Sequence, residues 1–478
     1  MTRLDANPAW QPALKSRSSR LIVGACVVAT VFGLLLPAMP WYAVAWLVLV
    51  PLALALPVGA LAVILAVTVL VPWDLQSALK VIGGPDQPGV LFVDALMVLG
   101  LIRIAWLMLR RRLTFDLPLL LGTVIAGLCV GALMWGIGTG ANVSEAGHEW
   151  RRVMLGVASF LLAWPLMSSR SARRQLIWVL MAIGLALGVW GFVQWAFSVG
   201  YTTAGDIGVR GGLDSGQLQG GLYAYPAAVA LAWAALVSGQ VRNVAARWLL
   251  PVILIVNAVC VVLTFERTLL VATAVSCVFV VVSAGPDARA RAMKWAAIGA
   301  ALLVVGGTVA QTEAQTVTER LAMVGDPNSD HSFTHRVVES QELAKVIAER
   351  PITGSGFGAT VTWGVRDVYA TSTTSFADMG YLWLIWKIGI PAALLIVFLI
   401  WRAILRRPDS ADTGEWRALR LGSRAALLAL MIIGLLFGVF NSLGITAVMG
   451  VLVAVCYSGA VPPDSDPFPA PHGGSHEH

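Results

Sequence analysis

The sequence predicts an all-α polytopic membrane protein of about 12 to 14 transmembrane helices, with one large, partly helical loop on the outer side. Of its 478 residues, 58% are hydrophobic and only 12% are charged, whereas soluble globular proteins carry about 25% charged residues. The apolar residues form long uninterrupted runs, while the strands of an outer-membrane barrel alternate in polarity. A soluble nucleic-acid binder, a secreted disulfide module, a coiled coil and a disordered scaffold are also excluded.

The basic residues indicate the orientation of the predicted helices. Most of them lie in short clusters between apolar runs, as the positive-inside rule describes for cytoplasmic loops. This placement explains the net charge of +7 without a nucleic-acid partner. The five cysteines lie inside apolar runs and have no CxxC spacing, so neither a disulfide nor a metal site is predicted.

Apolar runs long enough to cross a bilayer follow one another along most of the chain, since a membrane helix needs roughly 20 such residues. They are predicted at 90–109, 117–138, 153–168, 176–199, 222–240, 248–265, 268–284, 295–310, 380–401, 424–440 and 444–460, with shorter helices within 21–73. The predicted organisation is a cytoplasmic tail at 1–20, a transmembrane core at 21–310, a large outer loop at 311–379, C-terminal transmembrane helices at 380–460 and a flexible cytoplasmic tail at 461–478.

The outer loop at 311–379 is too long for a simple connection and is therefore a candidate functional segment. Four of its residues recur at helical spacing, which predicts a helix that ends before Pro351. These residues are Val337, Ser340, Ala344 and Ile347. A run with glycine at alternate positions follows: Gly354, Gly356 and Gly358. Because glycine permits positive φ and close backbone approach, this run either seats a substrate or turns the chain.

Several arginines lie on the predicted outer side, away from the cytoplasmic clusters. They are Arg151, Arg152, Arg210 and Arg267. A charge near the hydrocarbon boundary needs an anionic partner or a wet cavity. One interpretation pairs each arginine with a nearby carboxylate: Glu149 with Arg151 or Arg152, Asp206 or Asp214 with Arg210, and Glu266 with Arg267. The other is a cavity for a lipid-linked phosphate or diphosphate, because guanidinium groups bind phosphate oxygens bidentately.

Three further residues of the loop are candidates for acid–base catalysis or substrate binding. His335 and Arg336 lie at the start of the predicted loop helix, and Asp378 precedes the next transmembrane helix. Asp378 either caps that helix, whose N-terminal dipole favours a carboxylate, or acts as a general base that faces the arginines. His335 is the alternative base, or else a structural residue of the loop.

These residues resemble the O-antigen ligase and polysaccharide polymerase superfamily of bacterial inner-membrane glycosyltransferases. The resemblance covers about residues 200–400 and rests on Arg210 before a glycine-rich stretch, Arg267 at the start of a span, and Arg336 before the glycine run. It implies a metal-independent enzyme without a cofactor, which works on the periplasmic side and takes a glycan from undecaprenyl diphosphate. It also implies that these three arginines bind the diphosphate, with Arg151 and Arg152 as further candidates.

One departure from the pattern of the family's ligases matters for the chemistry. Ligases carry a histidine, then Asn, Ser or Gln, a glycine after nine further residues, and Gly, Thr or Tyr three positions later, whereas this chain has Asp378, Met379, Gly389 and Ala392 at that spacing. An aspartate has an ordinary pKa of about 4 and is a weaker base unless its surroundings raise that pKa. The predicted catalytic residues are therefore Asp378 or His335 as the base, with Arg336 and Arg267, and polymerisation is favoured over ligation.

The predicted function is a periplasm-facing glycosyltransferase that polymerises a surface or exported polysaccharide from undecaprenyl diphosphate-linked repeat units. The alternative within the family is an O-antigen ligase that transfers the glycan to lipid A-core or another acceptor. A third hypothesis is a small-anion transporter, for which Asp94, Arg103 and Lys387 are candidate intramembrane charges, although Arg103 and Lys387 can snorkel to the surface. The expected partners are the lipid-linked glycan, its acceptor, membrane lipid and other polysaccharide assembly proteins, with no nucleic acid.

Overall fold

The computed structural model describes residues 58–71, 80–82, 90–109, 116–197, 201–202, 212–213, 222–241, 243–264, 266–295, 331–365, 370–406 and 414–459. Arg210, most of the predicted span at 295–310 and both predicted tails lie outside these residues.

The described part of the chain is predominantly helical, which confirms the predicted all-α class. Its labelled helices are α1 (Gly59–Leu70), α2 (Phe92–Leu109), α3 (Leu117–Gly138), α4 (Val143–Leu166), α5 (Arg170–Phe197), α6 (Ala224–Ser238), α7 (Val244–Leu263), α8 (Arg267–Ser283), α9 (His331–Glu349), α10 (Gly380–Ile388), α11 (Ile390–Leu405), α12 (Gly414–Ile433) and α13 (Leu443–Tyr457). By length and composition, three helices within the described ranges can cross a membrane: Leu117–Gly138, Arg170–Gln194 and Val244–Leu263. The shorter apolar helices include α1, α6, α8, α11 and α13.

In the part of the chain that the structure describes, three short antiparallel hairpins accompany the helices. They pair β1 (Lys80–Ile82) with β2 (Val90–Leu91), β3 (Tyr201–Thr202) with β4 (Gly212–Leu213), and β5 (Val361–Val365) with β6 (Ala370–Thr374). The third hairpin follows the glycine run and precedes α10, so it belongs to the predicted outer loop.

Small residues let the helices approach one another closely. A Cβ atom on Gly450 of α13 would lie 2.0 Å from the carbonyl oxygen of Gly156 in α4. Between α5 and α7, the Asn257 side chain donates a hydrogen bond to the carbonyl oxygen of Gly184 at 2.9 Å. Helices in lipid associate largely through such close packing and hydrogen bonds.

The segment predicted as one span at 380–401 is interrupted. It forms α10 and α11, which meet at Gly389, whose φ is +81°. The break leaves carbonyl groups at the end of α10 without helical partners, and the Lys387 carbonyl accepts a hydrogen bond from the Gly356 N–H at 3.0 Å. Hydropathy did not predict the break because both halves are apolar.

The segment predicted as one span at 424–440 also differs from that prediction in the structure. Helix α12 begins earlier and ends at Ile433, and a turn and a 3₁₀ helix at Val439–Asn441 connect it to α13. The predicted span therefore ends in an irregular connection, which carries Phe437.

Arg173 and Arg424, which belong to the short basic clusters between apolar runs, bind the ends of helices. Arg173 donates to the Met167 carbonyl after α4, and Arg424 donates to the Ile404 carbonyl near the end of α11, both at 2.6 Å. Cationic donors at helix C-termini satisfy carbonyl groups that lack intrahelical partners. These basic residues therefore stabilise helix ends as well as following the positive-inside pattern.

Candidate functional site

The loop helix α9 packs against the rest of the protein through one side, which includes Glu339 and Leu343. Val337 is 38% exposed, whereas Glu339 and Leu343 are 1% and 0% exposed. The predicted helix is present, and Ile347, one of the four residues whose spacing predicted it, packs against the hydrophobic core. The packed side of the helix also carries two charged residues, Arg336 and Glu339.

Arg336 lies between a carboxylate and an aromatic ring. Its Nε atom is 3.7 Å from Oδ2 of Asp378, and its guanidinium carbon is 5.0 Å from the centre of the Phe437 ring. The Arg336 side chain is 14% exposed and the Asp378 side chain is 37% exposed. The pair therefore lies at the boundary between the protein interior and its surroundings, where a ligand can reach it.

Asp378 does not cap α10 through its side chain. The N-cap residue is Met379, and no side-chain hydrogen bond caps the helix. The backbone N–H of Asp378 instead donates a hydrogen bond to Oε1 of Glu339 at 3.0 Å. Because its carboxylate faces Arg336, the geometry favours the interpretation of Asp378 as a site residue over that of a helix cap.

Tyr223 lies close to this pair. Its ring centre is 5.5 Å from that of Phe437, whose ring also faces the guanidinium group of Arg336. Glu266 is the N-cap residue of α8, and Arg267 is the first residue of that helix. Sequence reasoning missed Tyr223, although a tyrosine between a glycine-rich loop and an apolar run was a visible signal. Tyr223, Phe437 and Arg336 therefore bring three distant segments of the chain together.

Glu339 is the acidic residue that sequence reasoning missed. Its burial raises the pKa of the carboxyl group to about 7. The hydrogen bond from the Asp378 N–H and the charge of Arg336 oppose this shift, while the negative charge of Asp378 adds to it. The signal available in the sequence was its position one turn after Arg336, since residues three apart share a helix face.

Arg151 and Arg152 have different partners. The Nε atom of Arg151 donates to both carboxylate oxygens of Asp94, at 2.8 and 2.9 Å. Arg152 donates to the side-chain oxygen of Asn441, just before α13. Arg151 therefore has a carboxylate partner, as one interpretation of the sequence required, but that partner is Asp94 and not Glu149.

Glu149 instead forms a buried ion pair with Lys387. Nζ of Lys387 in α10 is 2.9 Å from Oε1 of Glu149 in α4, and the two side chains are 0% and 3% exposed. Oε2 of Glu149 accepts a hydrogen bond from the Gly358 N–H, and Lys387 donates to the Ala359 carbonyl, both at 2.6 Å. Lys387 therefore does not snorkel to the surface, because Glu149 binds it inside the protein.

The glycine run is packed against backbone on both sides. Gly354, Gly356 and Gly358 have φ values of +67°, +84° and +78°. A Cβ atom on Gly356 would lie 2.4 Å from Cα of Gly136 in α3, and one on Gly358 would lie 2.8 Å from Cβ of Ala146 in α4. This packing favours the interpretation that the run supports the loop.

Gly136→Ala is expected to lower the thermal stability of the protein. The new methyl group would lie 2.1 Å from the Phe357 carbonyl oxygen, and such overpacking costs about 1–3 kcal/mol. Thermal unfolding in detergent measures the loss. The matched control is Gly131→Ala in the same helix, where nothing lies within 4 Å of the new atom. Equal losses in the two variants would contradict the docking of the glycine run on α3.

Two candidate site residues fall outside the part of the chain that the structure describes, in whole or in their side chain. Arg210 lies outside the described residues, and the side chain of His335 does too, although its backbone belongs to α9. Among the described residues, no group of three or more His, Cys, Asp or Glu side chains is arranged to bind a metal ion. The described site therefore consists of a guanidinium group, carboxyl groups and a tyrosine.

The fold and the site together indicate an integral membrane protein with an arginine–carboxylate site next to helix α9. Residues 252–397 match the family model described as O-Antigen ligase. The matched segment contains Arg267, Arg336, the glycine run and Asp378, and it confirms the resemblance to the O-antigen ligase and polysaccharide polymerase superfamily. The match supports a glycosyltransferase activity of the ligase or polymerase type. None of the curated proteins compared with the chain matches it.

Proposed function

We propose that the protein is a periplasm-facing glycosyltransferase that polymerises a surface or exported polysaccharide from undecaprenyl diphosphate-linked repeat units. The observation that carries the proposal is the ion pair of Arg336 with Asp378 next to Tyr223. Glycan transfer needs a cation for the departing diphosphate and a proton acceptor for the attacking hydroxyl group. This ion pair supplies both groups in one place.

In the proposed reaction, the hydroxyl oxygen of the acceptor sugar attacks the anomeric carbon of the donor glycan. The bond between that carbon and the diphosphate oxygen breaks, and the diphosphate leaves with the bonding electron pair. Arg336 and Arg267 stabilise the negative charge on the diphosphate, and the Asp378 carboxylate accepts the hydroxyl proton. The part-buried position of Arg336 strengthens this stabilisation, because charges interact more strongly in a site with little water.

Arg151 and Arg152 are weaker candidates for diphosphate binding than Arg336. Arg151 is bound by both oxygens of Asp94, and Arg152 is bound to Asn441. A diphosphate would have to replace these contacts. Arg210 stays a prediction from the resemblance alone.

The alternative function is an O-antigen ligase that acts on lipid A-core or another acceptor. The description of the matching family model favours this alternative, whereas an aspartate at the position of the ligase histidine favours the polymerase. Glycan analysis of a deletion strain distinguishes the two functions. Loss of a polymerase leaves a single repeat unit on the acceptor, and loss of a ligase leaves long chains on undecaprenyl diphosphate.

The small-anion transporter has less support. Among its candidate charges with described side chains, Asp94 is paired with Arg151 and Lys387 with Glu149. Intramembrane charges of transporters usually line a passage or a binding cavity. These two pairs instead join helices of the fold.

Asp378→Asn is expected to reduce the rate of glycan transfer about 10²-fold, because an amide does not accept the hydroxyl proton. The rate is measured in membranes of a deletion strain that carries the variant. Glu349→Gln is the matched control, since Glu349 is exposed at the other end of α9. A wild-type rate in Asp378→Asn membranes would exclude Asp378 as the base.

A further inference from the structure

Glu339 is a carboxylic acid buried in the candidate site, and the proposed reaction does not use it. The residue is 1% exposed. Its Oε1 atom accepts the hydrogen bond from the Asp378 N–H at 3.0 Å, and its buried Oε2 atom has no hydrogen-bond partner among the described residues. A buried oxygen atom without a partner is costly, so a role for it is expected.

The guanidinium group of Arg336 also has a buried polar atom without a hydrogen-bond partner among the described residues. This atom is Nε, which lies 3.7 Å from Oδ2 of Asp378. Arg336 and Glu339 are one turn apart on the packed face of α9. One guanidinium group is therefore close to two carboxyl groups, and one of its donors is unused.

The charged groups that face Glu339 come from two elements. Arg336 belongs to the same helix, and Asp378 belongs to the segment before α10. When Glu339 is neutral, the charges of Arg336 and Asp378 balance, and Arg336 is available to an incoming anion. When Glu339 is ionised, the three groups carry a net negative charge, which repels a diphosphate.

We propose that Glu339 is a positioning residue that fixes the backbone of Asp378 and, by its charge state, controls how strongly Arg336 binds the diphosphate of the lipid-linked donor. This inference rests on the proposed function, because it concerns the same site. It adds that donor binding depends on pH through a residue that does not itself touch the donor. The pKa of about 7 places the change near neutral pH, with binding strong below this value and weak above it.

The test compares donor binding by the purified full-length protein well below and well above pH 7. The probe is farnesyl diphosphate-linked glucose, a diphosphate diester whose own charge does not change in this range. For the wild type, the Kd is expected to be about tenfold higher above pH 7 than below it. A change of this size is on the order of the repulsion between the ionised carboxylate of Glu339 and one charge of the diphosphate. For Glu339→Gln, the Kd is expected to stay at the low-pH value throughout, because the amide is neutral and still accepts the Asp378 hydrogen bond.

The control is Glu342→Gln on the same helix, whose carboxylate pairs with Lys345 at 2.7 Å. This variant is expected to keep the pH dependence of the wild type. Glu339→Leu, which removes the hydrogen bond as well, is expected to lower the rate of glycan transfer, and Glu339→Gln is expected to restore it. A role in stability alone would not remove the pH dependence of the Kd.

The outcomes separate this inference from the proposed function. A Glu339→Gln variant with the pH dependence of the wild type would overturn the role of Glu339 and leave the proposed function intact. A wild type that does not bind the probe at any pH would contradict the proposed function itself. If Glu339→Gln does not accumulate, calorimetry of the wild type decides, because the inference requires proton uptake when the probe binds near pH 7, and no uptake would refute it.

Discussion

Arg336→Ala is expected to lower glycan transfer by about 10³-fold or more, because arginines that bind a departing phosphate group contribute effects of this size. Arg336 is 14% exposed and lies 3.7 Å from Asp378, so a cation in this position acts with little screening by water. Polymer length and transfer rate in membranes of a deletion strain measure the loss. Arg267→Ala is expected to act in the same direction.

The matched control for Arg336→Ala is Arg350→Ala. Arg350 is exposed just beyond the other end of α9, and its guanidinium group lies 6.0 Å from the Trp135 ring. Both variants remove one arginine near the same helix, so only the position differs. Equal abundance of both proteins in the membrane, with transfer lost only in Arg336→Ala, is the expected result. Normal polymer in Arg336→Ala and Arg267→Ala would end the glycosyltransferase proposal.

Lys387→Met is expected to destabilise the protein by about 3–5 kcal/mol, because it leaves the buried carboxylate of Glu149 without its cation. The Lys387 and Glu149 side chains are 0% and 3% exposed, so water does not replace the missing partner. The same substitution removes the hydrogen bond to the Ala359 carbonyl. The apparent Tm in detergent and the abundance of the protein in membranes measure the effect.

Two controls isolate the ion pair. The double variant Glu149→Gln with Lys387→Met has no unpaired charge and is expected to recover much of the lost stability, since a glutamine still accepts the Gly358 hydrogen bond. Lys345→Met removes one partner of an exposed ion pair on α9, in which Nζ of Lys345 lies 2.7 Å from Oε1 of Glu342. This variant is expected to lose less than about 1 kcal/mol of stability. A double variant as unstable as Lys387→Met would show that the ion pair is not the cause.

The candidate site was only partly predictable. Arg336 and Asp378 were identified from their positions around the loop, and the structure places them 3.7 Å apart. Glu339 and Tyr223 were missed, because the signals they carry, a position one turn after Arg336 and a position between a glycine-rich loop and an apolar run, are shared by many residues outside any site. Their closeness to Arg336 and Asp378 is visible only once α9 is packed against the segment before α10.

The sequence by itself determined the class of protein, the positions of many of its helices, and the helix and glycine run that precede α10. These features depend on local composition and on periodicity within a few turns, which hydropathy records directly. Only the tertiary structure decided that Arg151 pairs with Asp94, that Glu149 pairs with Lys387, and that Gly389 divides a predicted span. Each of these depends on contacts between segments far apart in the chain, and a charged side chain has the same letter in the sequence whether it is buried with a partner or exposed.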